Sequence, residues 1–99
     1  MNHPKTQKDI DKYITKDGKI IAYPSKRHRA VRPYIYATIA GHFETNQQYS
    51  EKEVNAIIQA IILFEDYVLI RRELIDFGYL GRTNDGRAYW LVNRESLDS

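Results

Sequence analysis

Three groups of cations are the residues best suited to chemistry. Lys26, Arg27 and Arg29, joined by Arg32, form a basic run around His28; Arg71 and Arg72 are adjacent; Arg82 and Arg87 flank Asn84-Asp85-Gly86. Such residues neutralise phosphates, a task that needs cations on one face and little geometric precision. Tyr23, Tyr34 and Tyr36 lie close to the first group as stacking partners for unpaired bases. The plainer alternative for the run is a solvated helix start, because short basic runs are common on protein surfaces. Against it, cations at a helix N-terminus oppose the macrodipole, which favours a functional reason for them. Arg71 and Arg72 have their own alternative, pairing with Glu73, Asp76 or Asp66 across helical turns.

No constellation for catalysis accompanies these cations. His3, His28 and His42 are scattered, and none stands at a ligand spacing from another histidine or a carboxylate pair. Glu65 and Asp66 are neighbours that point in different directions on a helix, and two carboxylates alone hold a cation weakly. There is no glycine-rich phosphate loop and no Gly-x-Ser-x-Gly elbow. With no cysteine there is no thiol nucleophile, thiolate metal site or disulfide framework. The expectation is a binding protein without cofactor or metal.

Charge is divided unequally along the chain. Residues 1–36 hold nine Lys or Arg against three Asp, a net +6, while 37–99 hold six against ten acids, a net −4. An anionic ligand should prefer the first part. No apolar run approaches the roughly 18 residues of a membrane span, and the polar opening Met1-Asn2-His3-Pro4-Lys5 lacks a secretory segment, so a cytoplasmic protein without membrane contact is expected.

Ninety-nine residues suffice for one domain with one core. Residues 1–8 lack apolar periodicity and read as a disordered tail, 9–93 as the domain, and 94–99 as a loose tail. Tyr13-Ile14-Thr15 and Ile20-Ile21-Ala22-Tyr23 around Asp17-Gly18 give a hairpin signal. Ser25 is placed to cap a first helix whose apolar side is Ala30, Tyr34, Ala37 and Ile39-Ala40, stopped by Gly41. Pro33 means that this helix either kinks or begins in earnest near Val31-Arg32. Ser50-Glu51-Lys52-Glu53 has the form of a capping box and opens a second helix with Val54, Ile57, Ile58 and Ile61 inward. Leu63, Tyr67, Ile70, Leu74 and Phe77 form one stripe of a third helix ended by Gly78. A break between the second and third helices is favoured over one continuous helix across Ile61–Phe64. Period two then returns through Tyr79–Thr83 and Arg87–Val92, a second hairpin in which one of Tyr89 and Trp90 is core and the other partly exposed. The resulting expectation is an α+β fold of winged helix-turn-helix type: an N-terminal β-hairpin, three helices and a C-terminal β-hairpin wing.

The blocks Tyr13-Ile14-Thr15-Lys16-Asp17-Gly18-Lys19-Ile20 and Pro24-Ser25-Lys26-Arg27-His28-Arg29 resemble a bacterial family catalogued as domain of unknown function 2087. Tyr49-Ser50-Glu51-Lys52-Glu53-Val54-Asn55 is similar to its second-helix entry. Asp66-Tyr67 with Ile70-Arg71-Arg72-Glu73-Leu74-Ile75-Asp76-Phe77-Gly78 is similar to its strongest motif, and Gly86 with Tyr89-Trp90 completes a resemblance over roughly residues 12–90. The resemblance implies no established activity, and a context of transcriptional regulators in which the domain follows an ArsR-like helix-turn-helix. The chain departs from the family where a small polar residue is replaced by Leu69 and where a more polar segment becomes Ile61-Ile62-Leu63-Phe64.

These readings lead to a small DNA- or RNA-binding regulator, DNA favoured, that contacts the phosphate backbone through Lys26, Arg27, Arg29, Arg32, Arg71, Arg72, Arg82 and Arg87. Base reading by the third helix is doubtful, since its early outward positions are Glu65, Asp66, Val68 and Leu69. The same observation supports an alternative in which Val68 and Leu69, joined by Ile62 and Phe64, form a patch for a protein partner or a homodimer; its rival is that these side chains fill the core.

Overall fold

The computed structural model describes residues 3–92, and the side chains of residues 8–92. In chain order the elements are α1 (His3–Tyr13), a 3-10 stretch (Lys26–Val31), α2 (Arg32–Ala40), β1 (Gln48–Tyr49), α3 (Glu51–Ile61), α4 (Tyr67–Asp76), β2 (Leu80–Arg82) and β3 (Tyr89–Leu91). The three strands form one antiparallel sheet in the order β1-β3-β2, with Tyr49 opposite Tyr89 and Gly81 opposite Trp90. The α+β class is as expected. Among the described residues no helix is long and apolar enough to cross a membrane.

Local chemistry accounts for the helix boundaries. Ser50 Oγ accepts a hydrogen bond from Glu53 N at 3.1 Å while Glu53 Oε1 accepts one from Ser50 N at 2.8 Å, the reciprocal box that opens α3. Val54, Ile58 and Ile61 then face the core. Ile62 leaves the helix at ψ 146°, and Asp66 Oδ1 accepts from Leu69 N at 3.1 Å to start α4 afresh, so the break lies where it was expected. Ile70 and Leu74 of α4 are fully buried, and Gly78 adopts φ 82° just past its end. Pro33 sits in the first turn of α2, where its missing N–H costs no helical hydrogen bond, and the chain before it is kinked at His28.

Four expectations need correction. The first eight residues were expected to form a tail, yet α1 spans 3–13; residues 1–2 and 93–99, with the expected tail 94–99 among them, lie outside the described residues. The N-terminal hairpin is reduced to single bridges, Ile14 with Ile20 antiparallel and Ile20 with Ile62 parallel. Tyr13 is the last residue of α1, so the hairpin keeps between its arms the bonds Thr15 N to Lys19 O at 2.9 Å and Ile21 N to Tyr13 O at 2.8 Å, while the amide and carbonyl of Ile20 pair with Ile61 O at 3.0 Å and Leu63 N at 2.8 Å. The face of α2 is rotated from the expected one: Ile35, Tyr36, Ile39 and Ala40 are buried, whereas Ala30, Tyr34 and Ala37 are exposed. The helix starts at Arg32, near where Pro33 allowed, so its inner face is set by the elements packed against α2. Leu63 and Phe77, assigned to the inner stripe of α4, lie just outside the helix and are 61% and 58% exposed. Tyr89 is buried and Trp90 half-buried, as the alternation required. The Trp90 indole lies across Gly81, where a Cβ would meet its Nε1 at 2.5 Å.

Two turns are built alike. In Thr15–Lys19 and Thr83–Arg87 the threonine hydroxyl donates to the aspartate two residues on, Asp17 or Asp85, and accepts from the amide of Lys19 or Arg87. The glycines, Gly18 at φ 86° and Gly86 at φ 73°, supply the left-handed position. In each turn the threonine hydroxyl, as the largest influence, holds the carboxyl below its ordinary value.

Replacing the cap by Ser50→Ala should lower the stability by about 1 kcal/mol in urea unfolding; an unchanged midpoint would show that the box adds nothing here. A carboxyl held below its unfolded value contributes stability that is complete above the ordinary carboxylate range and is lost as the pH falls through the lowered value. Thr83→Val should therefore raise the Asp85 titration midpoint in an NMR experiment, and an unmoved midpoint would contradict the turn assignment.

Candidate functional site

The buried Ile70 and Leu74 orient α4, and Glu73 ties that orientation to α2. Its position between Ile70 and Leu74 places a carboxylate beside the inner stripe of the helix, where it must find donors. Tyr23 Oη donates to both carboxylate oxygens at 2.9 Å, and Tyr36 Oη donates to Oε1. Burial pushes both phenols up from their ordinary value, and hydrogen bonding to the carboxylate adds to it. The guanidinium of Arg32 lies 4.7 Å from the centre of the Tyr23 ring and donates from Nη2 to Pro24 O at 3.0 Å. Arg32 is thus part of the frame around Glu73, not a free surface cation.

With Glu73 turned toward α2, the neighbouring arginines separate. Arg71 reaches α3, donating from Nη1 to Asn55 Oδ1 at 2.6 Å and lying 3.8 Å from Glu51 Oε2, with its side chain 16% exposed. The pairings expected with Asp66, Glu73 or Asp76 are not those observed. Arg72 is exposed and forms no ion pair among the described residues. Together with Arg82 of β2 it lines a cleft of about 350 Å³ between α4 and the β2–β3 hairpin, with Arg71, Glu51, Asp76 and Tyr89 as further walls. Tyr89 Oη donates to Glu51 Oε1 at 3.0 Å and its phenol is pushed up by burial and by that carboxylate. Glu51 thereby offsets Arg71, leaving Arg72 and Arg82 as the cations that face an incoming anion.

The other sequence candidates are distributed differently. Lys26, Arg27 and Arg29 are exposed on the 3-10 stretch, while His28 turns in against α1, 2.9 Å from Tyr13 Oη. Arg87 is exposed and 3.5 Å from Asp85 within its own turn. Arg82 is exposed, with Nη1 against the carbonyls of Thr83 and Asn84. Val68 is 40% exposed, Leu69 is half-buried, Ile62 is buried and Phe64 packs against the core, so the apolar patch shrinks to Val68 with Leu63 beside the α3–α4 turn.

A second cleft, of about 390 Å³, opens at the C-terminal end of α4 and is lined by Arg29, Arg32, Pro33, Tyr36, Phe77 and Tyr79. The Phe77 and Tyr36 rings stack with centroids 5.5 Å apart at 16°. Sequence reasoning did not find this cleft, because Phe77 was assigned to the core. It also missed the partners of Arg71, although a signal existed: Glu51 and Asn55 share a helical face with the buried Ile58, and polar residues on such a face require partners. Among the described residues no group of three or more potential ligands could hold a metal ion.

A family model described as "Uncharacterized protein conserved in bacteria (DUF2087)" matches residues 19–91. The match starts inside the first resembling block, so Tyr13–Gly18 lie outside it. No curated protein and no solved structure matches the chain.

Proposed function

We propose that this chain, which belongs to the bacterial DUF2087 family, is a winged helix-turn-helix domain that binds nucleic acid through its phosphate backbone in a regulatory role. The order α2-β1-α3-α4-β2-β3, with the sheet arranged β1-β3-β2, supports the winged reading: α3 and α4 stand as the helix-turn-helix pair and the β2–β3 hairpin as the wing. The observation that carries the functional part is the convergence of Arg72 and Arg82, from helix and wing, on one open cleft. Exposed Lys26, Arg27 and Arg29 add charge in the basic first part of the chain. Arg32 and Arg71 are held by contacts within the protein, whereas Arg87 stays exposed beside Asp85 and can still add to the wing's charge. The outward face of α4 offers Val68, Arg72 and Asp76, of which Arg72 alone suits phosphate contact and none forms a base-reading set. DNA is favoured over RNA, since a helix flanked by a wing suits the duplex groove.

Fluorescence anisotropy with a random-sequence duplex should show binding that weakens steeply between 50 and 200 mM salt. Arg72→Glu with Arg82→Glu should weaken it by about tenfold or more and lower the salt slope by about two, roughly one per lost contact. Full-strength binding by that variant, with an unchanged melting temperature, would exclude the cleft as the contact site.

The exposure of Leu63 and Val68 supports a second reading, a protein-interaction or dimer surface. Leu63→Glu should leave the fold intact while abolishing self-association in sedimentation measurements. A wild-type chain that stays monomeric at high concentration removes the homodimer version.

A further inference from the structure

We infer that Glu51 is a built-in restraint on the cleft between α4 and the β2–β3 hairpin: its carboxylate withholds Arg71 from the phosphodiester anion that the cleft takes. The inference rests on the function proposed above for its ligand and concerns how tightly the cleft holds it.

The first observation is how Arg71 is held. A guanidinium carries five N–H donors in a planar fork. Among the described residues, Arg71 donates from Nη1 to Asn55 Oδ1 at 2.6 Å, while Glu51 Oε2 stands at 3.8 Å, within ion-pair range but beyond hydrogen-bond reach. None of its other nitrogens is a buried donor without a partner among the described residues, and the side chain lines the cleft, so those donors open onto it. Arg71 is thus neutralised by Glu51 without being saturated by it.

The second observation is how Glu51 is held. Tyr89 Oη donates to its Oε1 at 3.0 Å, and a Cβ at Gly86 would stand 3.6 Å from the same oxygen. Although its side chain is 49% exposed, the carboxylate is therefore tethered between the hairpin and α4. A carboxylate and a phosphodiester each bring one negative charge and two oxygens that fit a guanidinium fork, so the two compete for Arg71. Asp76 also lines the cleft but makes no ion pair with Arg71 among the described residues, which makes it a comparison of equal charge.

A phosphate has to displace Glu51 before Arg71 can serve it. In the chain as it stands Arg71 therefore adds little, and Arg72 with Arg82 make the contact. A strut and a restraint differ in sign: removing a strut between hairpin and helix weakens binding, whereas removing a restraint strengthens it.

The test is an anisotropy titration of the full chain with a random-sequence duplex across a salt series, joined by an NMR titration with inorganic phosphate. Glu51→Gln, which keeps an acceptor for Tyr89 and loses the charge, should tighten duplex binding by about fivefold and steepen the salt slope by about one. Arg71→Gln alone should barely change binding, and in combination should remove the gain. Tyr89→Phe, which keeps the charge and cuts the tether, should gain less in the same direction and serves where Glu51→Gln does not fold. Absence of a gain in both variants, at unchanged melting temperature, would overturn the inference. A gain that survives in the Arg71→Gln background, or that Asp76→Asn matches, would reduce Glu51 to general repulsion and overturn it as well. Inorganic phosphate separates the restraint from the reading it borrows. Duplex binding with no gain for either probe removes the restraint and keeps the nucleic-acid reading; no duplex binding by any variant, with phosphate held more tightly by Glu51→Gln, removes that reading and keeps the restraint. Failure of both probes to bind overturns both.

Discussion

A carboxylate placed beside the core has few stable solutions, and the one found for Glu73 organises the rest of the molecule. Half-buried, it is stabilised by donors, and Tyr23 and Tyr36 both reach it. Those donors come from the segment before the 3-10 stretch and from α2, two parts of the chain far from α4 in sequence. The bonds tie the rotation of α4, set by the buried Ile70 and Leu74, to α2. Successive residues on a helix are about 100° apart, so Glu73 facing α2 sends Arg72 outward and Arg71 toward α3. Arg32 belongs to the same arrangement through its contact with Tyr23.

That rotation decides which cations can act outside the protein. Arg71 is committed to Asn55 and Glu51 and Arg32 to Pro24 and Tyr23, while Arg87 stays exposed beside Asp85. The Arg87 pair is fully exposed and contributes little to stability, but it halves the charge the turn presents. What stays exposed is Arg72, Arg82, Arg87 and the trio Lys26, Arg27 and Arg29. A surface of this kind holds phosphates by charge and has little with which to tell one base pair from another.

The helices of the central region were legible because their signals are local. Ser50-x-x-Glu53, the apolar stripe of α3, Gly78 and the Asp85-Gly86 turn each act over a few residues, and the favoured break before α4 is the one that Asp66 caps in the structure. What was not legible depends on distant partners. β1 is two residues long, too short for alternation to register, and exists because β3 supplies its hydrogen bonds. Ile20 and Ile62 are both β-prone and pair with each other across the molecule, which dissolved the expected hairpin. Pro33 made a start near Val31-Arg32 legible, and Ile39 and Ala40 are buried as expected, but that Ile35 and Tyr36 take the inner face in place of Tyr34 and Ala37 depends on the elements packed against α2. The cations were identified by type from the sequence, but which are engaged depends on Glu51, Asn55 and Pro24, residues remote in sequence from the arginines of α4 or contacted through the backbone alone.

Tyr36 belongs to two arrangements at once. Its hydroxyl holds Glu73, and its ring supports Phe77 and floors the aromatic cleft. Arg72 is the residue next to Glu73, so any change that turns Tyr36 acts on the anchor that points Arg72 outward. A change in the cleft would bias α4 only by favouring one of two orientations of that anchor over the other. Tyr36 belongs to the same buried core as Ile39, Ile70 and Leu74, and a close-packed core does not deform gradually. Coupling between the cleft and Arg72 therefore requires a discrete second position for the Tyr36 side chain, and the phenol–carboxylate bond is the contact that such a position has to break.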